Sequence, residues 1–469
     1  MTIEQGTSPA APPIHPVVVP RISTDPLDEL VDRMRPALAR AVEALQVAAV
    51  LEADGVTDRT ARVEYGFPDV FALAQEVYRR LGPPADDPPA PAGGKHGRRQ
   101  TVRLLLLHGP LYALPGAVFP AVLAEVGERD ALMALTVAGV VGWACAGTVA
   151  YAAYQFLGAD RPRRAALLLR FSVPAAAVTG VLAGMSMGGG RSLILLAVGQ
   201  LTYQLSGTVL MFYRREGLQA LAMAPAVTAG IAYLVDASLR GVALGTAAIG
   251  VTLVAVAALV CTRGRGTGKG SRVRMRRRSL LGVTAYGFLS AVFLLHAALP
   301  YLSHRLDIAI GVAPLILSMG FVEWRAERFR SQAVGLTRIS LRPRDFERRV
   351  GTLVGREIGV CMAVPAGLGL VLLAALGFPG PESAVMVAAH VLLAGVYYLA
   401  FLLAGFERFG LLCCAILVAL TLHLGVVQMV GRPVAPLADT TLYLGSVLAL
   451  LAQFLLGLAP SVRQVRHFR

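Results

Sequence analysis

Apolar stretches of roughly 17 to 27 residues follow one another twelve times between Thr101 and Leu458, and arginines collect in every second connection between them. A helix needs about 20 apolar residues to cross about 30 Å of hydrocarbon. The stretches therefore predict membrane spans at 101–126, 131–157, 165–187, 192–213, 218–235, 242–261, 280–302, 308–324, 358–378, 384–406, 409–430 and 440–458. The fold class that follows is all-α: a polytopic membrane protein with 12 transmembrane helices in two six-helix lobes, preceded by a small cytoplasmic N-terminal helical hairpin.

Cytoplasmic loops retain Lys and Arg because basic loops resist translocation. After residue 127 one set of connections holds Arg129, Arg191, Arg240, Arg305 and Arg432. The other set holds Arg161, Arg163, Arg164, Arg214, Arg215, the run from Arg263 to Arg278, and the cluster from Arg325 to Arg356. A wrongly merged or split span would invert every later loop, and the bias never inverts. Both termini are expected in the cytoplasm.

A chain that is 55% hydrophobic needs no large aqueous core. Its net charge of +15 follows from topology. Basic residues beside helix ends meet anionic lipid headgroups, so anionic lipids are expected partners and nucleic acid is not. Lysine occurs at Lys95 and Lys269 alone, and with the abundant Ala and Gly this points to GC-rich coding and a bacterial plasma membrane. Cys145, Cys261, Cys361, Cys413 and Cys414 lie in or beside apolar spans without metal-ligand spacing, so neither a metal site nor a disulfide framework is expected. The residues from Met1 to Gln5 lack the basic start of a secretory signal.

Residues 1–20 are rich in Pro and Ala and are expected to be disordered. Asp25-Pro26 starts a helix, because Asp accepts from the free N–H groups of the first turn while Pro has none to lose. Leu30, Met34, Ala37, Ala41, Leu45 and Ala48 continue it at helical spacing, and Val70, Leu73, Ala74, Val77 and Leu81 give a second stripe. The domain plan is a hairpin over 21–82, a Pro-rich linker over 83–100, lobe 1 over 101–261, a basic linker over 262–279, lobe 2 over 280–458 and a cytoplasmic tail over 459–469. Within the long connection after the eighth span, Phe329, Val334, Leu336, Ile339 and Leu341 alternate with arginines and suggest a helix lying in the lipid interface.

Ionisable groups inside spans cost roughly 2.5 to 3.5 kcal/mol on insertion scales and mark pathways or partners. Arg170 in the third span offers a positive charge to an anionic substrate. Gln200, Tyr203 and Gln204 share the fourth span, the two glutamines on one face. Together with His296, His390 and His423, these residues are candidates to line a substrate pathway. His108 is a further intramembrane histidine. Asp236, Glu323 and Glu357 read as span ends, which argues against a carboxylate-based cation antiporter. Pro110, Pro115, Pro120 and Pro314 are expected to kink their helices, as prolines do inside spans. No phosphate-cradling loop and no paired carboxylates occur in the outer loops, so the chain is not expected to be an enzyme or to carry a cofactor.

Three segments resemble the Pel exopolysaccharide exporter (PelG-like) family of the multidrug/oligosaccharidyl-lipid/polysaccharide flippase superfamily. His108-Gly109-Pro110-Leu111 is similar to the Gly-Pro-aromatic start of that family's first helix. Pro314 with Gly320-Phe321-Val322-Glu323 and Phe329-Arg330 is similar to its eighth helix, and Ala404-Gly405-Phe406-Glu407-Arg408 to its loop between the tenth and eleventh. The likeness spans 101–460 diffusely and departs from the family at Trp324-Arg325 and at Pro300–His304. It implies a carrier moving a polysaccharide or lipid-linked glycan made by a cytoplasmic glycosyltransferase, which would be a partner. Gly158-Ala159-Asp160-Arg161-Pro162-Arg163-Arg164 is similar to a shortened major-facilitator signature, so a small-molecule carrier of that type is the alternative. A non-transporting scaffold of a glycan-synthesis complex is the third reading.

Overall fold

The computed structural model describes residues 25–38, 43–81, 108–188, 190–264, 277–339, 343–431 and 434–462. The chain divides into two compact units, Met1–Arg98 and Arg99–Arg469. The expectations for 1–20 and 83–100, and most of the 262–279 connection, lie outside the described residues.

Among the described residues the first unit holds four helices where the sequence suggests two: α1 (Pro26–Leu38), α2 (Ala44–Ala53), α3 (Asp58–Glu64) and α4 (Val70–Leu81). Asp25 starts α1 as its side chain predicts, its Oδ1 accepting from Leu27 N–H at 3.0 Å. The single stripe through Ala48 is broken after Leu38, and Leu45 is 63% exposed rather than buried. Pro36, passed over in the periodic reading, removes a backbone donor in the last turn of α1. Thr57 caps α3, its hydroxyl accepting from Thr60 N–H at 3.3 Å. The apolar stripes bury against one another, with Leu30, Leu51, Leu73 and Val77 at the centre. The Arg80 guanidinium fastens the ends, donating to Asp25 at 2.6 Å, Asp28 at 2.7 Å and Glu76 at 2.9 Å. Hydrogen bonds from Arg79 and then Arg80 hold the Glu76 carboxyl down at about 2, and Arg80 lowers that of Asp25.

Among its described residues the second unit contains 12 helices long and apolar enough to cross a membrane. In lobe 1 these are α5 (His108–Val126), α6 (Arg129–Gly158), α7 (Pro162–Ser186), α8 (Arg191–Phe212), α9 (Glu216–Val235) and α10 (Ala237–Cys261). In lobe 2 they are α11 (Arg277–Tyr301), α12 (Leu306–Leu336), α13 (Arg344–Ala375), α14 (Pro381–Gly405), α15 (Phe409–Met429) and α16 (Pro436–Pro460). Side chains that would be a liability in water, such as Leu221, Leu253, Val371 and Leu456, point outward from these helices, where lipid covers them. Spanning threonines return their hydroxyls to their own helix, as Thr136 does to Leu132 O at 2.8 Å and Thr252 to Ala248 O at 2.8 Å.

Glycines set the closest approaches. A Cβ on Gly180 would lie 2.5 Å from Val198 Cα, and one on Gly184 2.6 Å from Ile194 Cα, so α7 and α8 meet backbone to backbone as small residues allow in membranes. In lobe 2, α14 is the central helix, with Tyr397, Tyr398, Leu399 and Leu403 buried among its neighbours.

Two sequence expectations are corrected here. The eighth and ninth spans are longer than drawn: the α-helix Ala313–Ile339 runs straight through the arginine cluster, and the next begins at Pro343. There is no separate interfacial helix among the described residues, because Phe329, Val334 and Leu336 pack on the lobe 2 core instead of lying on lipid. Pro314 lies inside α12, beside an interruption of its α-helical geometry. It follows the 3-10 turn Ile310–Val312 at the start of the α-helix, where its missing N–H has no partner to lose. Pro115 and Pro120 do interrupt α5, which passes through a 3-10 segment, Leu114–Val118, before its last turns.

Candidate functional site

The two lobes meet in a seam of two helix pairs, α6 with α11 and α5 with α12. α6 and α11 form its main contact: Gly287 lies against the backbone of Ala144, a Cβ there reaching 3.1 Å from Ala144 Cα. Beside it the hydroxyls of Thr148 and Thr284 are 2.8 Å apart. Tyr151 donates to Glu407 Oε1 at 3.2 Å and sets its ring edge-on against Phe409 at 5.9 Å.

α5 and α12 make the second contact. Gly109 allows it, since a Cβ there would stand 2.1 Å from Leu317 O. The close approach brings His108 between two carboxylates, with Nδ1 at 2.6 Å from Glu323 Oε2 and Nε2 at 3.3 Å from Glu216 Oε1. Glu216 is 2% exposed and begins α9 directly after Arg214-Arg215. The histidine thus bridges two acids, the three groups coming from three helices, one of them in the other lobe. Behind it, Arg325 of α12 pairs with the fully buried Glu357 of α13, which Arg356 also contacts at 3.2 Å.

A second polar cluster occupies lobe 2 toward the arginine-poor ends. His296 of α11 and His423 of α15 are joined at 3.0 Å, and His423 faces Asp439 of α16 at 3.4 Å. Tyr301 donates to the other Asp439 oxygen at 2.7 Å. Tyr443 packs between them and His390, with ring centroids 5.5 Å from His296 and 5.6 Å from His390. Next to Tyr301, Arg305 pairs with Asp307 at 2.9 Å and Glu382 at 2.6 Å; these bonds raise the guanidinium further above its ordinary value.

The candidate pathway residues thus fall into separate groups. His296, His390 and His423 come together in lobe 2. Arg170 is exposed on α7, apart from them. Tyr203 is buried and donates to Leu111 O at 2.6 Å, tying α8 to α5. Gln204 lies in a groove left by Gly142, where a Cβ would stand 1.5 Å from its Oε1, while Gln200 is half-buried on the same helix.

The acidic partners were missed in the sequence. Glu323 reads as a span end because Trp324-Arg325 follows it, yet it sits midway along α12. Glu216 reads as loop after two arginines, and Asp439 precedes the expected start at 440. Pro436, a first-turn proline, was the signal that places Asp439 inside α16. Glu216 and Asp439 each lie in the first turn of their helices, so of the three only Glu323 is far from a helix end.

No family model matches the chain, and no curated protein does. Among solved structures it is similar to a MATE in complex with MaD3S, at 12% identity and TM-score 0.48 over 79% of this chain and 97% of that one. A MATE in the bent conformation is similar at 13% identity and TM-score 0.48, over 79% and 96%. An outward-facing multidrug resistance MATE family transporter of the MOP superfamily is similar at 12% identity and TM-score 0.48, over 79% and 95%. The likeness is one of helix arrangement.

Proposed function

We propose that the chain is a membrane transporter that exports or flips a polysaccharide or lipid-linked glycan made by a cytoplasmic glycosyltransferase, working by separation of its two lobes. The observation that carries this reading is the coincidence of two independent sets of residues. His108-Gly109-Pro110, Gly320 to Glu323 and Gly405 to Arg408 are the segments that resemble a glycan exporter family. The same segments take part in the seam, through the His108–Glu323 bond, the Gly109 approach to α12 and the Tyr151–Glu407 bond. A seam that includes this bridge of a histidine and two acids suits a carrier that opens alternately to its two sides. With the arginine-rich ends in the cytoplasm, the bridged form closes that side. A passive scaffold would have no use for it.

The test is a disulfide across the seam. In Thr148→Cys with Thr284→Cys, oxidation is expected to join α6 to α11 and to stop release of extracellular glycan from cells, and reductant to restore it. Each single variant is expected to export normally. Continued export from fully cross-linked protein would refute transport by lobe separation. Loss of glycan synthesis itself, with precursor absent from the cytoplasm, would favour the scaffold.

A further inference from the structure

Three contacts run in a line through lobe 2. Phe293 O faces His296 Nδ1 at 2.9 Å, His296 Nε2 faces His423 Nδ1 at 3.0 Å, and His423 Nε2 lies 3.4 Å from both Asp439 Oδ1 and the Asp439 carbonyl. A peptide carbonyl ends the line on one side and an ionised carboxylate on the other, and both only accept. Filling all three bonds takes three N–H protons. Two neutral imidazoles carry two.

We propose that His296, His423 and Asp439 form a binding site for a single proton, taken up as one charge shared along the line. Loaded, the imidazole pair carries +1 against the Asp439 carboxylate, so the cluster is neutral and every bond is made. Emptied, the cluster carries −1 and one of the three contacts has no hydrogen, leaving two acceptors facing each other in a buried site. A second proton is refused. It would set N–H against N–H between His296 Nε2 and His423 Nδ1.

The surroundings fit that capacity. Tyr301 donates to Asp439 Oδ2 and steadies the carboxylate form. Tyr443 contributes an aromatic face 5.8 Å from His423 and no opposing charge. His390, on the far side of Tyr443, is separately engaged with Met386 O at 2.8 Å. Arg305, beside Tyr301, is already matched by Asp307 and Glu382. Among the described residues, the single acid that answers the histidine pair is therefore Asp439. The site goes beyond the transport reading and does not rest on it, since a chain that moved nothing would still bind the proton.

The experiment is ¹⁵N NMR of the full chain in lipid nanodiscs with labelled histidine imidazoles, His296 and His423 being assigned by His296→Gln and His423→Gln. From pH 9 to pH 5 the pair is expected to gain one proton, both rings shifting together with one midpoint. Asp439→Asn is expected to remove that uptake. Tyr301→Phe, which deletes one O–H and keeps the ring, is expected to move the midpoint to higher pH, because the carboxylate loses a donor that favoured its bare form. Two separate protonations, no protonation, or an unchanged course in Asp439→Asn would each overturn the proposal. A Tyr301→Phe spectrum identical to that of the unaltered chain would do the same.

Discussion

At the residue scale, single atoms decide how close the lobes come. Gly109 is tolerated only without a side chain, because a Cβ there meets the carbonyl oxygen of Leu317, which is backbone and has nowhere to go. Gly109→Ala is expected to lower stability by about 1 to 3 kcal/mol, the usual cost of overpacking. Thermal unfolding in detergent reads this, with Gly139→Ala, which meets open space, expected within about 0.5 kcal/mol of the unaltered chain. Glu357 makes a different case, being wholly buried with Arg325 as its counter-charge. Glu357→Gln strips the guanidinium of its partner and is expected to cost about 3 to 5 kcal/mol in the same measurement. A change under about 1 kcal/mol would mean that Arg325 reaches water or lipid headgroups on its own.

At the element scale, the helices of the first unit are held by exposed ion pairs as well as by their small core. Glu76 is held at about 2 against an ordinary 4.5, so its pairs contribute fully above about pH 4.5 and are lost as pH falls toward 2. Amide protection in α4, measured by hydrogen exchange on the full chain, is expected to fall across that window. Arg80→Ala is expected to flatten the dependence, since Arg80 also binds Asp25 and Asp28. This unit also marks the limit of reading by period. Val70, Leu73, Ala74 and Val77 are buried as their spacing requires, but the spacing that carried a single helix from Leu30 to Ala48 ignored Pro36. The same weakness placed the end of α12 too early. A run of charge reads as the edge of the membrane, whereas Arg325 is paired with an acid on the next helix, which periodicity along one helix does not reveal.

At the scale of the whole molecule, the twelve apolar stretches and their division into two lobes were legible because hydrocarbon thickness and segment length leave few alternatives. The candidate site was legible in part. His296, His390 and His423 were marked as costly groups in apolar spans, but nothing in their spacing brings residues of α11, α14 and α15 around Tyr443. Only packing does that. The contact between Thr148 and Thr284 carries a last consequence. Each hydroxyl also lies within reach of its own helix, Thr148 at 2.7 Å from Ala144 O and Thr284 at 2.9 Å from Leu280 O. Two hydroxyls have two hydrogens to give. Facing each other, one goes across and the other goes home; once apart, both go home, and the tally of bonds is the same. At that point parting is close to thermoneutral, so the Thr148–Thr284 contact adds little to the hold between α6 and α11.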